Sequence, residues 1–578
     1  MQTVSGIKYI WKLPETDTQK VLEIASQFSL SIPLSQILHS RGYITKDAIE
    51  DYLFSSEQKD VSSATLMKDA EKAVNRILKA IENKEKILVF GDYDVDGITS
   101  SALMMTALTP LGADVNFYLP HRVKDGYGLS TKVVKRAADN NYKVVITVDN
   151  GTTAFEQAKV AKERGIDLII TDHHQPHGEL PDAYAIVNPH QKDCNYPFKE
   201  FAGVGVTFKI LALLYEKLNK KLPEKAYELL LLGTVADVVP LLGENRFWVR
   251  YGLQWANTKD SLSLRVLKEN GKCTRPKLSS LDVGFRIAPQ INALGRLEDP
   301  RQGVAFLLGA DEKEARHIGS VLYQLNEARK QIERTIFEDV ETLIENGTID
   351  LTKEKIILAG GKKWPPGVIG LVASRLVGKY GRPVLLFHLT DKGKAKGSCR
   401  TIEAFNMFEA LVENSELLDQ FGGHAMAAGL ALDQDKLQDL KQSLEDRADR
   451  ILTESDLQQK LLCDAAITLP DVGAKLVRDM EYLEPFGAKN AQPVFYLQNV
   501  SLVQKPQLLK LLHVKCMVFA EGVIKPVIFF NRPELFEIFN AQEQEPFDLA
   551  VQITENHWQG RSQVELMGMD VANTKENA

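Results

Sequence analysis

Cysteine is sparse: five residues in a chain of 578, Cys194, Cys273, Cys399, Cys463 and Cys516, with no C-x-x-C pair. That spacing gives no sign of a zinc site or a disulfide framework, and reduced thiols in a cytoplasmic compartment are the expectation. No stretch approaches the roughly 20 apolar residues that span a bilayer, and Met1 to Trp11 carries no long apolar run, so neither membrane anchoring nor export is expected. An excess of positive charge is missing too: 70 Lys and Arg stand against 77 Asp and Glu, for a formal net charge of −7. Non-specific nucleic-acid binding draws on Lys and Arg, so this balance counts mildly against it. A narrow basic channel can still coexist with an acidic exterior, and clustered acidic ligands depress the sum. Lys209, Lys217, Lys220, Lys221 and Lys225 read as solvated surface rather than as a track for a strand. With 25% charged and 44% hydrophobic residues the chain is an ordinary globular one. It is too long for one core, and three or four domains are expected.

What the chain does have is a concentration of carboxylates. Gly91-Asp92-Tyr93-Asp94-Val95-Asp96-Gly97 follows the apolar Ile87-Leu88-Val89-Phe90 and sets three carboxylates two residues apart at the end of an expected buried strand. Carboxylates held within a few ångströms repel one another, and partly desolvated charge is costly unless something positive compensates it. An acidic surface turn competes with a metal site, because Asp and Gly are common turn formers. A calcium loop of the EF-hand type fails, since Leu103 stands where that loop needs a Glu. Two further apolar segments end the same way: Val144 to Val148 runs into Asp149-Asn150-Gly151, and Asp167-Leu168-Ile169-Ile170 runs into Thr171-Asp172-His173-His174. One strand-terminal Asp is commonly a helix cap. Three strands ending in Asp or His point to a single metal site, and imidazole mixed with carboxylate suits manganese, zinc or iron better than calcium. Helical stretches are expected at 98–111, 130–138 and 152–164, and the alternation indicates a mostly parallel sheet with helices on both faces. Ligands of such sheets collect at the carboxyl ends of the strands, where Asp92, Asp94, Asp96, Asp149, Asp172, His173 and His174 would all lie. Asp237, after the leucine-rich helix at 227–232, is a further carboxylate in an apolar setting. From spacing alone it reads equally as a helix cap or the partner of an Arg.

GDYDVDG, ITVDNG, TDHH and GTVADVVPL resemble the successive motifs of the DHH phosphoesterase family and, within it, of the RecJ single-strand DNA exonucleases. The likeness continues in family order through DGYGL at 125–129, AGVG at 202–205, INALGRL at 291–297, GVIG at 367–370, GSCR at 397–400, GGHA at 422–425 and EPFG at 484–487. The resemblance implies a metal-dependent exodeoxyribonuclease with two divalent ions, manganese preferred and magnesium possible. Asp94, Asp96, Asp149, His173 and Asp237 match the family's metal-binding positions, with Asp149 as the bridging carboxylate. Asp92 and His174 are expected as further ligands or as groups standing behind them, Asp92 in particular behind. A paired centre of this kind hydrolyses a phosphodiester without a Ser or Cys nucleophile. His174 would orient the water or protonate the leaving group. Arg296, Ser398 and Arg400 match positions that hold the 5′ phosphate, and guanidinium forks fit phosphate oxygens. Gly422, Gly423 and His424 would face a phosphate or sugar with backbone N–H groups and an imidazole. One departure stands out: this chain has Trp364-Pro365-Pro366 where these enzymes usually have Trp-His, so no catalytic role is carried to Pro365.

The implied fold is α/β, with a parallel-sheet DHH catalytic domain, a long connecting helix, a smaller α/β DHH-associated domain and a C-terminal β-barrel of OB-fold type. The expected divisions are 1–80 (an N-terminal helical cover, with Ile44-Thr45-Lys46-Asp47 as a turn into a helix), 81–250 (catalytic), 251–350 (helical connector, with one long helix from Arg301 to Asn346), 351–455 (substrate-binding), 456–572 (barrel) and 573–578 (tail). Phe495, Phe529 and Trp558 are expected in the barrel core rather than as stacking platforms. The implied reaction is 5′-to-3′ degradation of single-stranded DNA to 5′-mononucleotides, in recombination and repair. It would be carried out by a monomer, with a single-strand binding protein and a RecQ-type helicase as protein partners and no membrane. Two other readings remain. A DHH phosphodiesterase for oligoribonucleotides or cyclic dinucleotides is usually shorter and lacks the barrel, and a silent strand-binding scaffold would tend to lose metal ligands that are intact here.

Overall fold

The computed structural model describes residues 2–121, 125–126, 128–176, 178–309, 311–541, 545–558 and 561–573. Two short strands, β1 (Thr3–Ser5) and β2 (Ile10–Lys12), pair antiparallel at the start of the chain. Helices α1 (Thr18–Phe28), α2 (Ile32–Ser40), α3 (Lys46–Leu53) and α4 (Glu57–Asp60) follow, with the Thr45 side chain capping α3. The region differs from the expected helical cover in opening with a hairpin. Its Ile24, Leu34, Ile37 and Ile49 join the core of the C-terminal barrel. An apolar stripe on a helix states that it needs a partner; it does not name one.

Helix α5 (Ala70–Glu82) leads into β3 (Lys86–Phe90), α6 (Val95–Leu108), β4 (Asp114–Tyr118), α7 (Thr131–Asp139), β5 (Tyr142–Val148), α8 (Phe155–Glu163), β6 (Asp167–Thr171) and β7 (Ala185–Val187). The five strands form an all-parallel sheet in the order β4-β3-β5-β6-β7. Side chains alternate across a strand, and both faces are covered. Ile87 and Val89 share a core with α5 and α6, whereas Leu88 and Phe90 share one with α7 and α8. The chain leaves β3 toward β4 on one side and returns to β5 on the other, so a crevice opens at the carboxyl ends of β3 and β5.

The expected boundary near residue 250 falls inside a continuous core. Helices α9 (Gly203–Lys217), α10 (Lys225–Ala236), α11 (Gly243–Thr258), α12 (Leu262–Asn270), α14 (Ala288–Leu297), α15 (Arg301–Gly309) and the start of α16 (Glu312–Glu345) bury residues against the sheet's helical layer, while the short α13 (Ser280–Asp282) turns Leu281 toward the barrel core. Leu267, Ile291, Phe306 and Leu322 belong to the same cluster as Ile87. The helix expected from Arg301 to Asn346 is two helices, parted after Gly309, whose φ of 104° no helix continues. Only α16 bridges: its Ile336 and Val340 lie in the core of the next domain.

That domain contains β8 (Ile357–Gly361), α17 (Pro366–Tyr380), β9 (Val384–Leu389), β10 (Lys394–Arg400), α18 (Met407–Glu413), β11 (Gln420–His424), β12 (Ala427–Asp433) and α19 (Leu437–Ile451), with strand order β11-β12-β10-β9-β8. Beyond it, β13 (Lys460–Leu462) adds to β2 in parallel. Strands β14 (Ala465–Ile467), β15 (Phe495–Leu502), β16 (Gln507–Leu509), β17 (His513–Ala520), β18 (Val523–Phe529), β19 (Phe547–Trp558) and β20 (Arg561–Asn573) form a sheet that closes where β15 pairs with β17. Phe495 and Phe529 are fully buried inside it. The side chain of Trp558, like residues 574–578 of the tail, lies outside the described residues. Among the described residues no single helix is long and apolar enough to cross a membrane.

Candidate metal centre and phosphate cradle

The carboxylate loop is built by the start of α6. Asp94 is its N-cap and accepts from Gly97 N at 3.1 Å, while Asp96 lies in the first helical turn rather than in a loop. Asp96 is in turn held by the first residues of α9: Gly203 N donates to Oδ2 at 2.5 Å and Val204 N to Oδ1 at 2.8 Å. A Cβ on Gly203 would stand 2.5 Å from that of Asp149, so only glycine lets this helix end approach both carboxylates. Asp149 follows β5 with a φ of 62°, a left-handed conformation that Asp tolerates better than most residues. Asp237 caps the carboxyl end of α10, where the helix dipole disfavours negative charge.

These side chains converge. Ligand atoms of Asp92, Asp94 and Asp149 lie within 4.8 Å of one another, as do those of Asp96, His173 and Asp237, and those of Asp149, His173 and His174. Asp92, expected behind the ligands, therefore stands level with them and is buried. Asp149 belongs to two groups, and a carboxylate can offer an oxygen to each of two ions; His173 also belongs to two, but its single free nitrogen can serve only one. Nε2 of His173 is 3.2 Å from Asp149 Oδ1, 3.7 Å from Asp237 Oδ2 and 4.0 Å from Asp96 Oδ2, yet it has no hydrogen-bond partner. Burial holds this imidazole near a pKa of 4, and its other nitrogen is engaged by the backbone of Phe201. A neutral nitrogen lone pair thus faces carboxylates that repel one another. Burial first, then Asp96, Asp94, Asp237 and Asp92, lifts Asp149 well above the carboxylate range. Burial, with Asp96 and Asp94, does the same to Asp237. The donor set fits divalent cations and leaves an orphaned nitrogen without them.

His174 is different in kind. Its Nδ1 lies 2.7 Å from Asp172 Oδ1. Burial opposes its charge, but the bond and charge of Asp172 outweigh that and raise it to about 9. Asp172, to which the sequence assigned no separate role, also accepts from Thr152 N, His173 N and His174 N. Asn188, after β7, holds Thr152 Oγ1 at 3.0 Å and the His174 carbonyl at 2.8 Å. The adjacency of Asp172 to two histidines was a usable signal; nothing local marks Asn188.

Metal-free stability should report this crowding. Burial and Asp94 raise Asp96 to about 7, against roughly 4 when unfolded. Between those values the folded chain retains a proton that the unfolded chain has released; Asp149 and Asp237, also raised, act in the same direction, and together the three outweigh His173, which is lowered and acts oppositely, so stability falls as pH rises from about 4 to about 7. The melting temperature in chelator is expected to drop across that window, and manganese to abolish the drop. A flat profile in chelator would contradict the described packing.

The second cluster lies where α14 of the catalytic core meets the DHH-associated domain. Arg296 Nη1 donates to Gly367 O at 2.6 Å, in the first turn of α17. Arg400 Nη1 reaches Ser398 Oγ at 3.2 Å and Cys399 O at 2.7 Å. A Cβ on Gly370 would come within 2.8 Å of Ser398 Oγ and 3.2 Å of Arg400 Nη2, so that turn sits directly on the pair. Two guanidinium groups beside a helix N-terminus are all positive, and together they call for an anion. Pro365 is the N-cap of α17 and Pro366 its first residue, so the proline pair found in place of Trp-His starts this helix. Gly422 and His424 are in register with Ser398 and Arg400 through Gly429 and Ala427, which puts them on the same sheet face two strands across. Gly423 alternates to the other face, where a Cβ would strike Ala427 O at 2.4 Å, so its role is in the backbone turn. Tyr127 of the DGYGL motif lies outside the described residues.

The two clusters are one residue apart. A Cβ on Gly295 would lie 2.2 Å from the Tyr93 carbonyl in the carboxylate loop, and the next residue is Arg296. A parallel sheet with this ligand set at its switch point, joined to an anion cradle, defines a DHH-type phosphoesterase. Known families agree: residues 86–234 match the DHH family N-terminal domain, 353–450 the DHHA1 domain and 463–570 the RecJ OB domain. The single-stranded-DNA-specific exonuclease RecJ of Bacillus subtilis is 36% identical over 569 residues, 98% of this chain and 71% of that protein. Its Escherichia coli counterpart is 36% identical over 447 residues, 74% of this chain and 77% of that one. The crystal structure of RecJ from Thermus thermophilus in complex with Mn2+ superposes with a TM-score of 0.82 at 27% identity, covering 97% of this chain and 79% of that one. The chain belongs to the RecJ family of exonucleases.

Proposed function

We propose that this chain degrades single-stranded DNA from its 5′ end to 5′-mononucleotides, using two divalent cations, manganese in preference to magnesium. The observation that carries the polarity is the single-residue step from Gly295, against the carboxylate loop, to Arg296, in the phosphate cradle. A terminal phosphate held on Arg296, Ser398 and Arg400 lies at a set distance from the ligands, so the bond cut is always the same one in from the end. Asp92, Asp94, Asp96, Asp149, His173 and Asp237 would hold the ions. Bound there, the pair supplies Lewis acidity to the phosphoryl and leaving oxygens and activates water for in-line attack. Gly203 and Val204 N–H groups fix Asp96, and the backbone bond at Phe201 presents His173 Nε2 rather than a proton. Asp172 keeps His174 protonated and aims it, so Nε2–H can donate toward the departing oxygen. Gly422 and His424 would line the sheet face over which the end nucleotide lies.

Purified protein given 5′- or 3′-labelled single strands with manganese should release labelled mononucleotide at once from the 5′ label, and only late from the 3′ label. Chelator should stop both. Cleavage of cyclic dinucleotides with DNA left intact would replace this reading with the small phosphodiesterase, and binding without cleavage would replace it with the scaffold. The same reading puts the enzyme in the cytoplasm as a monomer, assisted by a single-strand binding protein and a RecQ-type helicase. The five free cysteines are consistent with that compartment.

A further inference from the structure

Helix α14 begins abnormally. Residues Val283–Ile287 form a π-helical turn that runs straight into it, with Ala288 N donating to Val283 O. Pro289 explains the widening: it has no N–H for the carbonyl four residues back, that of Phe285, and its ring would clash with it. Single π-turns within helices occur frequently at functional sites. This one lifts Phe285 into solvent at 77% exposure, more than any other aromatic among the described residues.

Phe285, Pro289, Asn292 and Arg296 share one side of the continuous helix, within about 60° of one another at roughly 100° per residue. All four are exposed or half-buried, whereas Ile287, Ile291 and Leu294 on the opposite side are fully buried. The stripe is tied to the reaction centre at both ends. At Arg296 it meets the phosphate cradle, with Gly295 against Tyr93 O. At the other end a Cβ on Gly284 would touch Val235 Cγ1 at 3.5 Å, two residues before Asp237 on α10. Just past Asp237, Val238 is held at a φ of 61° and is 69% exposed, a conformation costly for a β-branched residue and found mostly where function requires it.

We propose that Phe285 is a stacking platform for a nucleobase on the 3′ side of the bond being cut, with Val238 as an apolar contact beside it. The proposal rests on the reading that a single strand is the substrate. Eleven helical steps separate Arg296 from Phe285, about 16 Å at roughly 1.5 Å each, so a strand anchored by its 5′ phosphate reaches the ring a few nucleotides further on. An exposed, uncharged ring on the same helix face as a phosphate-binding arginine, a few nucleotides' length away, suits the face of a base, and accepts any base.

Phe285→Ala is expected to raise KM for a 5′-phosphorylated 12-mer by about tenfold or more, as loss of one base-stacking contact does. It should leave kcat, the melting temperature and all kinetics on a 5′-phosphorylated dinucleotide unchanged, because a dinucleotide is too short to reach the ring. Phe285→Trp should behave as the parent chain. KM within twofold of the parent on the 12-mer, or an equal loss on the dinucleotide, would overturn the proposal. Anisotropy of labelled oligothymidylate on the metal-free protein reads the platform without hydrolysis. A parent chain that binds through Phe285 but cuts nothing would sink the exonuclease reading and leave the platform standing.

Discussion

Asp149→Asn is expected to lose a thousandfold or more in strand hydrolysis while melting at a higher temperature than the parent chain in chelator. Both effects follow from one position. Asp149 belongs to two of the three ligand groups, so removing its charge weakens both ion positions together. Stabilising charge in the phosphoryl transition state is the main contribution such a site makes, and loss of one preorganised donor elsewhere already costs on the order of a hundred- to a thousandfold. Without ions the same carboxylate is a liability, buried and repelled by Asp96, Asp94, Asp237 and Asp92. Asn keeps the size and tolerates the φ of 62°, so backbone strain does not enter the comparison. Steady-state hydrolysis and two melting curves, in chelator and in manganese, test the pair of effects. In the variant manganese should add little stability, and a variant with normal activity would remove Asp149 from the centre.

Arg400→Ala carries the second large effect: KM for 5′-phosphorylated strands should rise by about a hundredfold, with little change for 5′-hydroxyl ends. The guanidinium is positioned by Ser398 Oγ and Cys399 O, beneath a helix N-terminus. Removing one partner of a desolvated charge pair costs roughly 2–5 kcal/mol. Arg400→Lys should recover only part of the loss, because an ammonium cannot offer the parallel donors of the fork. Comparing the two end chemistries separates recognition of the end from general damage. An equal loss on both would place Arg400 in the fold rather than in the cradle.

Particular residues show why some of this was legible in the chain and some was not. Asp92, Asp94, Asp96, Asp149 and His173 stand directly after apolar strands, so period and fold logic sent them to one sheet edge. The structure brings them to that edge in overlapping groups of three whose ligand atoms lie within 4.8 Å of one another. Asp237 could not be placed by spacing, because a helix cap and a ligand look alike in sequence; its proximity to His173 arises from the packing of α10 against α6. Gly203 shows the same limit from the other side. In the sequence it appears only within the AGVG run, yet its missing side chain admits Asp149 and its N–H holds Asp96. The N-terminal helices pack on the barrel and residues 251–322 on the catalytic core for one reason: local pattern states that a face must be buried, and only the assembled chain states against what.

What could be read from the chain was the chemistry at one sheet edge: the three-carboxylate loop alone is equally a surface turn, but three apolar strands ending in Asp or His bring charges together that a cation relieves. Only the folded chain shows which of these side chains stand together, that Asp92 lies beside Asp94 and Asp149, and that Arg296 follows directly on the residue packed against the loop. Those facts depend on distances between segments hundreds of residues apart, and such distances are set by the packing of α9, α10 and α14 rather than by any local preference.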